Sequence, residues 1–158
     1  MPRGHFKLED NGSGPLVMVS AGTGVTPILS MLDTLVLSPN KNPDQKIISI
    51  QINRSSEHHP MKDHIDTLVQ DKLINEAHAF YTRESNDNES KLQNTSIHSG
   101  RPSTEAIKSI VGEVLNDADF YFCGPAAFMK AFEEILNSLG VDKSKMHSER
   151  FGPELGQG

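Results

Sequence analysis

A single cysteine in 158 residues excludes an internal disulfide, a Cys-rich structural zinc site and a four-cysteine iron–sulfur cluster. No apolar run approaches the roughly 20 residues that cross a bilayer. The first seven residues, MPRGHFK, lack the apolar core of a secretory signal. Basic residues are in deficit, 15 against 21 acidic, for a net charge of −6. That balance argues against nucleic acid or a membrane surface as a partner. Aromatics make up only 6% and fall on strands and helix faces, so nothing suggests base stacking. The expectation is a soluble, cytoplasmic protein, and the length suits one domain.

What the chain does have is an alternation of two apolar periods. Leu16 to Ser20 is a continuous apolar run, as expected of a strand buried on both faces. From Pro27 the period becomes helical, with Ile28, Leu29, Leu32, Leu35 and Val36 on one side. Ile47 to Ile52 predicts a second strand, rich in β-branched residues. Met61, Ile65, Leu68 and Val69 mark a second helix, and Ala77 to Thr82 a weaker third strand. Residues 84–96 are polar and aperiodic, and predict a polar loop at about 84–99. Ile107, Ile110, Val111, Val114 and Leu115 mark a third helix, capped near Ser103 or Thr104. Asp119 to Cys123 predicts a fourth strand, a helix bearing Phe128, Met129, Phe132, Ile135 and Leu136 follows, and Lys145 to Phe151 closes as a fifth strand. Strand and helix alternate throughout. The fold class predicted is α/β, a doubly wound parallel five-stranded sheet with helices on both faces.

Two junctions stand out. Ser20-Ala21-Gly22-Thr23-Gly24-Val25-Thr26-Pro27 joins the first strand to the first helix, at the strand end where doubly wound sheets bind ligands. Gly22 and Gly24 allow a tight turn with exposed N–H groups. Pro27 suits the first helical position, and the helix amino terminus attracts an anion such as a pyrophosphate. Neither the G-x-G-x-x-G fingerprint nor a Walker A loop is present, and a plain glycine turn before a helix is an equal reading of the loop alone. Cys123-Gly124-Pro125 is a second junction of the same design, although a lone buried cysteine is usually a small hydrophobe. Glu57, His58, His59 and His64 do not make a metal site: the five-residue step from His59 to His64 misses the spacing that puts two histidines on one helix face. No metal is expected.

These segments resemble the nicotinamide-dinucleotide domain of the ferredoxin–NADP reductase superfamily, over about residues 2 to 153. AGTGVTP is similar to that family's A-G-x-G-x-T-P loop, and YFCGPAAFM to its C-G-P-x-x-F/M-M segment. The run from Ser20 to Leu35, the run from Cys123 to Met129 and the terminal Glu149 to Pro153 further resemble the reductase part of flavohemoglobins, the nitric oxide dioxygenases. The resemblance implies that Gly22, Thr23, Gly24, Thr26 and Pro27 hold the pyrophosphate and nicotinamide half. It implies that Cys123 and Glu149 border nicotinamide and flavin at the hydride-transfer site. Gly124, Pro125 and Phe128 would line the dinucleotide, and Phe151 would lie against the flavin ring. The cofactors implied are NADH or NADPH, and FAD or FMN supplied by another domain. The superfamily resemblance makes Arg54, Ser55 and Arg83, at the ends of strands two and three, candidates for a ribose 2′-phosphate; each arginine reads equally as a solvated surface charge, and the flavohemoglobin resemblance points to NADH.

The family's flavin-binding barrel, with its Arg-x-Tyr-Ser-type motif, has no counterpart here. Met1 to Leu8 resemble the last strand of that barrel, so 1–14 read as a remnant or linker, with 15–158 as the NAD(P)-binding domain. The expectation is an oxidoreductase part that is incomplete and inactive without a flavin-binding domain in cis or trans, working toward a globin or another electron acceptor. The alternatives are a non-catalytic NAD(P)H-binding regulatory or docking module, or the reductase part of another electron-transfer chain.

Overall fold

The structure is a computed structural model that describes residues 14–22, 25–37, 45–54, 61–82, 90–92 and 95–150. Its centre is β1 (Leu16–Ala21), buried along its whole length. On one side β1 pairs in parallel with β2 (Ile47–Asn53), and β2 with β3 (Glu76–Tyr81). On the other it pairs in parallel with β6 (Asp119–Gly124), which pairs with β7 (Met146–Arg150). The apolar runs become strands because each side chain has a core to enter, whichever way it points. Leu16, Met18, Tyr121 and Cys123 face one layer; Val17, Val19, Phe120 and Phe122 face the other.

Helices cover both faces. α1 (Val25–Val36) and α2 (Lys62–Gln70) close the first layer, through Ile28, Leu29, Leu32, Ile65 and Leu68. α3 (Thr104–Val111) and α4 (Ala126–Ser138) close the second, through Ile107, Val111, Met129, Phe132 and Leu136. Each such aliphatic or aromatic side chain contributes about 1.5–3 kcal/mol on burial. The doubly wound α/β class is therefore the observed one.

Three expectations need correcting. The sheet has seven strands in the order β4-β5-β3-β2-β1-β6-β7, not five. The extra pair, β4 (Ser90–Leu92) and β5 (Thr95–Ser99), lies inside the stretch expected to be a polar loop. β5 runs parallel to β3, and β4 returns antiparallel at the edge. Main-chain pairing with β3 holds this strand, and only Thr95 and Ile97 of it are buried, so it carries no apolar run to announce it. Second, α1 starts at Val25, so Pro27 is its third residue. It remains in the first turn, whose N–H groups have no intrahelical partner, and the helix loses no bond. Third, α2 starts after Met61, which is 47% exposed rather than on the core face.

The chain runs outward from β1 through β2 and β3 to β5, then returns to β6 and β7 on the other flank. The winding therefore reverses between β1 and β6. In open α/β sheets that is where a crevice forms beyond the carboxyl ends of the strands. Among the described residues no helix is long and apolar enough to cross a membrane.

Candidate functional site

Parallel pairing of β1 with β6 sets Ser20 opposite Cys123. Both glycine-marked junctions therefore leave the same rim of the sheet, side by side. Between them opens a cleft of about 720 Å³. Its floor is the tips of β1 and β2, from Ala21, Gly22, Ile52 and Asn53. One wall is the face of α4 bearing Phe128, Ala131, Phe132 and Ile135, with Pro125 at its head. Val25 and Thr26 of α1, Arg54, Met61, Thr82, Arg101 and Pro102 complete the rim.

Several local features build this cleft. Gly22 has φ +58°, the left-handed region, and a side chain there would meet nothing within 4 Å. The position selects glycine for its backbone, and the space beside it is open to a ligand. Gly124 is selected by contact instead. A methyl group added to it would lie 2.6 Å from Phe128 Cδ2 and 3.1 Å from Ala21 Cβ, so the absence of a side chain seats the Phe128 ring against the strand. Pro125 precedes α4 in an extended conformation, and no side chain caps that helix. Two helix amino termini, those of α1 and α4, thus bring their positive dipole ends to the same crevice, neither with an acidic residue in its first turn.

The charge of the cleft opposes that of the chain. The protein carries −6 overall, yet among the described lining residues the charged groups are Arg54 and Arg101, with no carboxylate. Arg101 is delivered by Gly100, which has φ +84° and donates its N–H to Tyr81 O at 3.0 Å. Ser103 then caps α3, its Oγ accepting from Ala106 N at 3.0 Å.

Of the residues expected in the site, Gly22, Thr26, Arg54, Pro125 and Phe128 line the cleft, and Gly124 underlies it through Phe128. Pro27 is in the first turn of α1 without lining it. Cys123 is fully buried in the layer beneath α1, and the backbone of Glu149 stands beside it in the β6–β7 register. Thr23, Gly24, Ser55, Arg83 and Phe151 lie outside the described residues, as does the 1–13 stretch read as a barrel remnant. Asn53, Met61, Thr82, Arg101 and Pro102 join the lining without having been expected in the site. Arg101 had a readable signal, the Gly100–Arg101 turn, but it becomes a site signal only when β5 is placed before it.

The fold is shared with known proteins. Residues 18–134 match the family described as the oxidoreductase NAD-binding domain. The chain belongs to that family. Among curated relatives of this NAD-binding domain, the flavohemoprotein of Bacillus subtilis (strain 168) is 31% identical over 154 residues, covering 98% of this chain and 37% of the relative. The flavohemoprotein of Bacillus cereus (strain ATCC 10987 / NRS 248) is 35% identical over 152 residues, covering 96% and 36%. The chain thus spans little more than a third of the curated relatives it matches. Among solved structures, it is similar to the flavohem-like FAD/NAD binding domain of nitric oxide dioxygenase from Vibrio cholerae O1 biovar El Tor. There the TM-score is 0.73 at 29% identity, over 96% of this chain and 56% of that one. The cytochrome b5 reductase domain of Ulva prolifera nitrate reductase shares the fold, with a TM-score of 0.74 at 18% identity over 96% of this chain and 58% of that one.

Proposed function

We propose that this NAD-binding domain holds NADH or NADPH in the switch-point cleft and positions it for hydride transfer to a flavin carried by a flavin-binding domain, as the reductase part of a flavohemoprotein-like enzyme. The observation that carries the reading is the convergence of two helix amino termini and two arginines, with no carboxylate among the described lining residues, on one cleft between β1 and β6. That arrangement suits an extended ligand with a doubly charged centre and apolar ring systems at its ends.

The residues fit such a ligand. Gly22 leaves open space against the backbone, where a diphosphate can approach N–H groups closely. Phe128, Ala131 and Ile135 offer an apolar wall to a base, and Arg54 and Arg101 supply cations toward the β2–β3 side. When bound, the reduced nicotinamide supplies a hydride from C4, and the flavin accepts it at N5. The contribution of this chain is to bind, orient and exclude water. Cys123 and Glu149, neighbours in register at the ends of β6 and β7, are proposed to border the nicotinamide end, with Cys123 packing from the core side. Thr26 and the described helix starts serve the diphosphate, and Thr23 and Gly24 are proposed to join them. Phe151 is proposed to face the flavin, and Ser55 and Arg83 to extend the cationic end. A globin or other acceptor lies downstream of the flavin, in a cytoplasmic setting.

The test is reconstitution. The full chain, mixed with a separately produced flavin-binding domain of a flavohemoprotein, should restore NADH-dependent flavin reduction, followed by loss of flavin absorbance in stopped flow. Replacing Cys123 by Ala should slow that step more than it weakens NADH binding. Tight NADH binding with no flavin reduction in any such mixture would favour a sensing or docking module instead.

A further inference from the structure

Asn53 ends β2 and lines the cleft. It is 6% exposed, and its Nδ2 is the buried side-chain polar atom left without a hydrogen-bond partner among the described residues. An amide nitrogen that has left water and gained nothing weakens the folded state, so an orphan of this kind calls for an explanation. The strand does not need the side chain to close it, because the main chain does so: Asn53 O accepts from Thr82 N at 2.8 Å. Nor do the adjoining cleft residues supply a partner: Arg54 and Arg101 are donors only, Ile52 and Met61 offer no good acceptor, and the Thr82 hydroxyl, which could accept, makes no hydrogen bond to this nitrogen. A donor that stands at a ligand cleft and lacks any acceptor is suited to one the ligand brings.

We propose that Asn53 is a further recognition residue of this site. Its amide turns toward the cleft on binding and donates to a ribose hydroxyl oxygen on the adenosine side of the dinucleotide. The inference rests on the dinucleotide reading above and adds a residue and a ligand atom to it. Position along the sheet selects the atom. Neighbouring strands lie about 4.8 Å apart, so Asn53 stands one strand beyond the β1–α1 junction and two beyond β6. With the diphosphate at the junction and the nicotinamide toward β6, the sugar on the other side of the diphosphate arrives over the tip of β2. Arg54, the next residue, then lies still farther from the diphosphate. Because the orphan donor is satisfied only in the bound state, Asn53 opposes folding slightly and favours binding.

That opposition gives the test two signs. In the full chain, Asn53→Ala should bind NADH about 10-fold more weakly, the worth of one good hydrogen bond, while the thermal midpoint without nucleotide stays level or rises. NADH analogues lacking the 2′ or the 3′ hydroxyl of the adenosine ribose complete a cycle. At least one should bind wild type about 10-fold more weakly than NADH, and Asn53→Ala should lose nothing further on that analogue. Asn53→Leu, similar in size and without a donor, carries the same measurement should the alanine variant fail to fold. A midpoint that falls while NADH affinity is unchanged would make Asn53 a structural residue and overturn the inference. Equal losses on the analogue in wild type and variant would overturn the assignment to the ribose. Wild-type chain that binds no NADH at millimolar ligand would overturn the dinucleotide reading itself, which is a separate outcome.

Discussion

Gly124→Ala puts the cleft wall to a quantitative test. The added methyl would stand 2.6 Å from Phe128 Cδ2 and 3.1 Å from Ala21 Cβ, against an optimal carbon–carbon separation of about 3.5–4.0 Å. The Phe128 ring must therefore retreat by about 1 Å, and Ala21 by a few tenths. Overpacking of this kind costs typically about 1–3 kcal/mol. Phe128 is only half-buried and borders open space, so its ring can give way into the cleft, and the lower end applies. At about 2–4 °C per kcal/mol for a domain of this size, the midpoint should fall by roughly 2–4 °C. The displaced ring then occupies space meant for the ligand, so the larger effect falls on binding. NADH affinity should drop about 10-fold or more, equivalent to at least about 1.4 kcal/mol. Differential scanning fluorimetry and isothermal titration calorimetry read the two quantities on one sample. Phe128→Ala in the Gly124→Ala background removes the closest clash, so the double variant should be more stable than the two single effects summed. Unchanged stability and unchanged NADH affinity in Gly124→Ala would refute the close packing and, with it, the role assigned to this wall.

The other predictions concern charge and capping. Arg54→Ala and Arg101→Ala should each weaken nucleotide binding by about 10-fold, the lower end for a charge-assisted hydrogen bond, with wild-type affinity falling as salt rises; titrations at two ionic strengths check this. Ser103→Ala should remove the α3 cap, cost about 1 kcal/mol and lower the midpoint by a few degrees in thermal melts.

The central layer was legible because its chemistry is redundant. Every residue of Leu16–Ala21 is buried, and no reading of such a run other than a two-sided strand fits a chain that alternates with amphipathic helices. The Gly22 and Gly124 junctions were legible because backbone conformation and close packing both demand glycine there. β5 was not, since Ser96, His98 and Ser99 are polar and the strand depends on main-chain pairing with β3 rather than on an apolar run of its own. Missing β5 concealed Arg101, whose place at the rim follows only from where that strand ends. Asn53 lies one residue past the expected end of β2 and was not legible as a site residue, because an orphaned amide is a property of packing in three dimensions. Met61 misled because an apolar residue one position before a helix fits its periodicity; its backbone, at φ +63°, takes the chain out of the helical register.

Whether the β1–α1 and β6–α4 junctions grip one diphosphate between them can be read from amide chemical-shift mapping of the full chain titrated with NADH. A shared grip should give saturable shifts at Gly22, Val25 and Thr26 together with Ala126, Ala127 and Phe128. Residues at the opposite edge, such as Asn75 and Asp119, should stay unmoved. Shifts confined to one junction, or strongest at that opposite edge, would rule out a shared grip on the diphosphate.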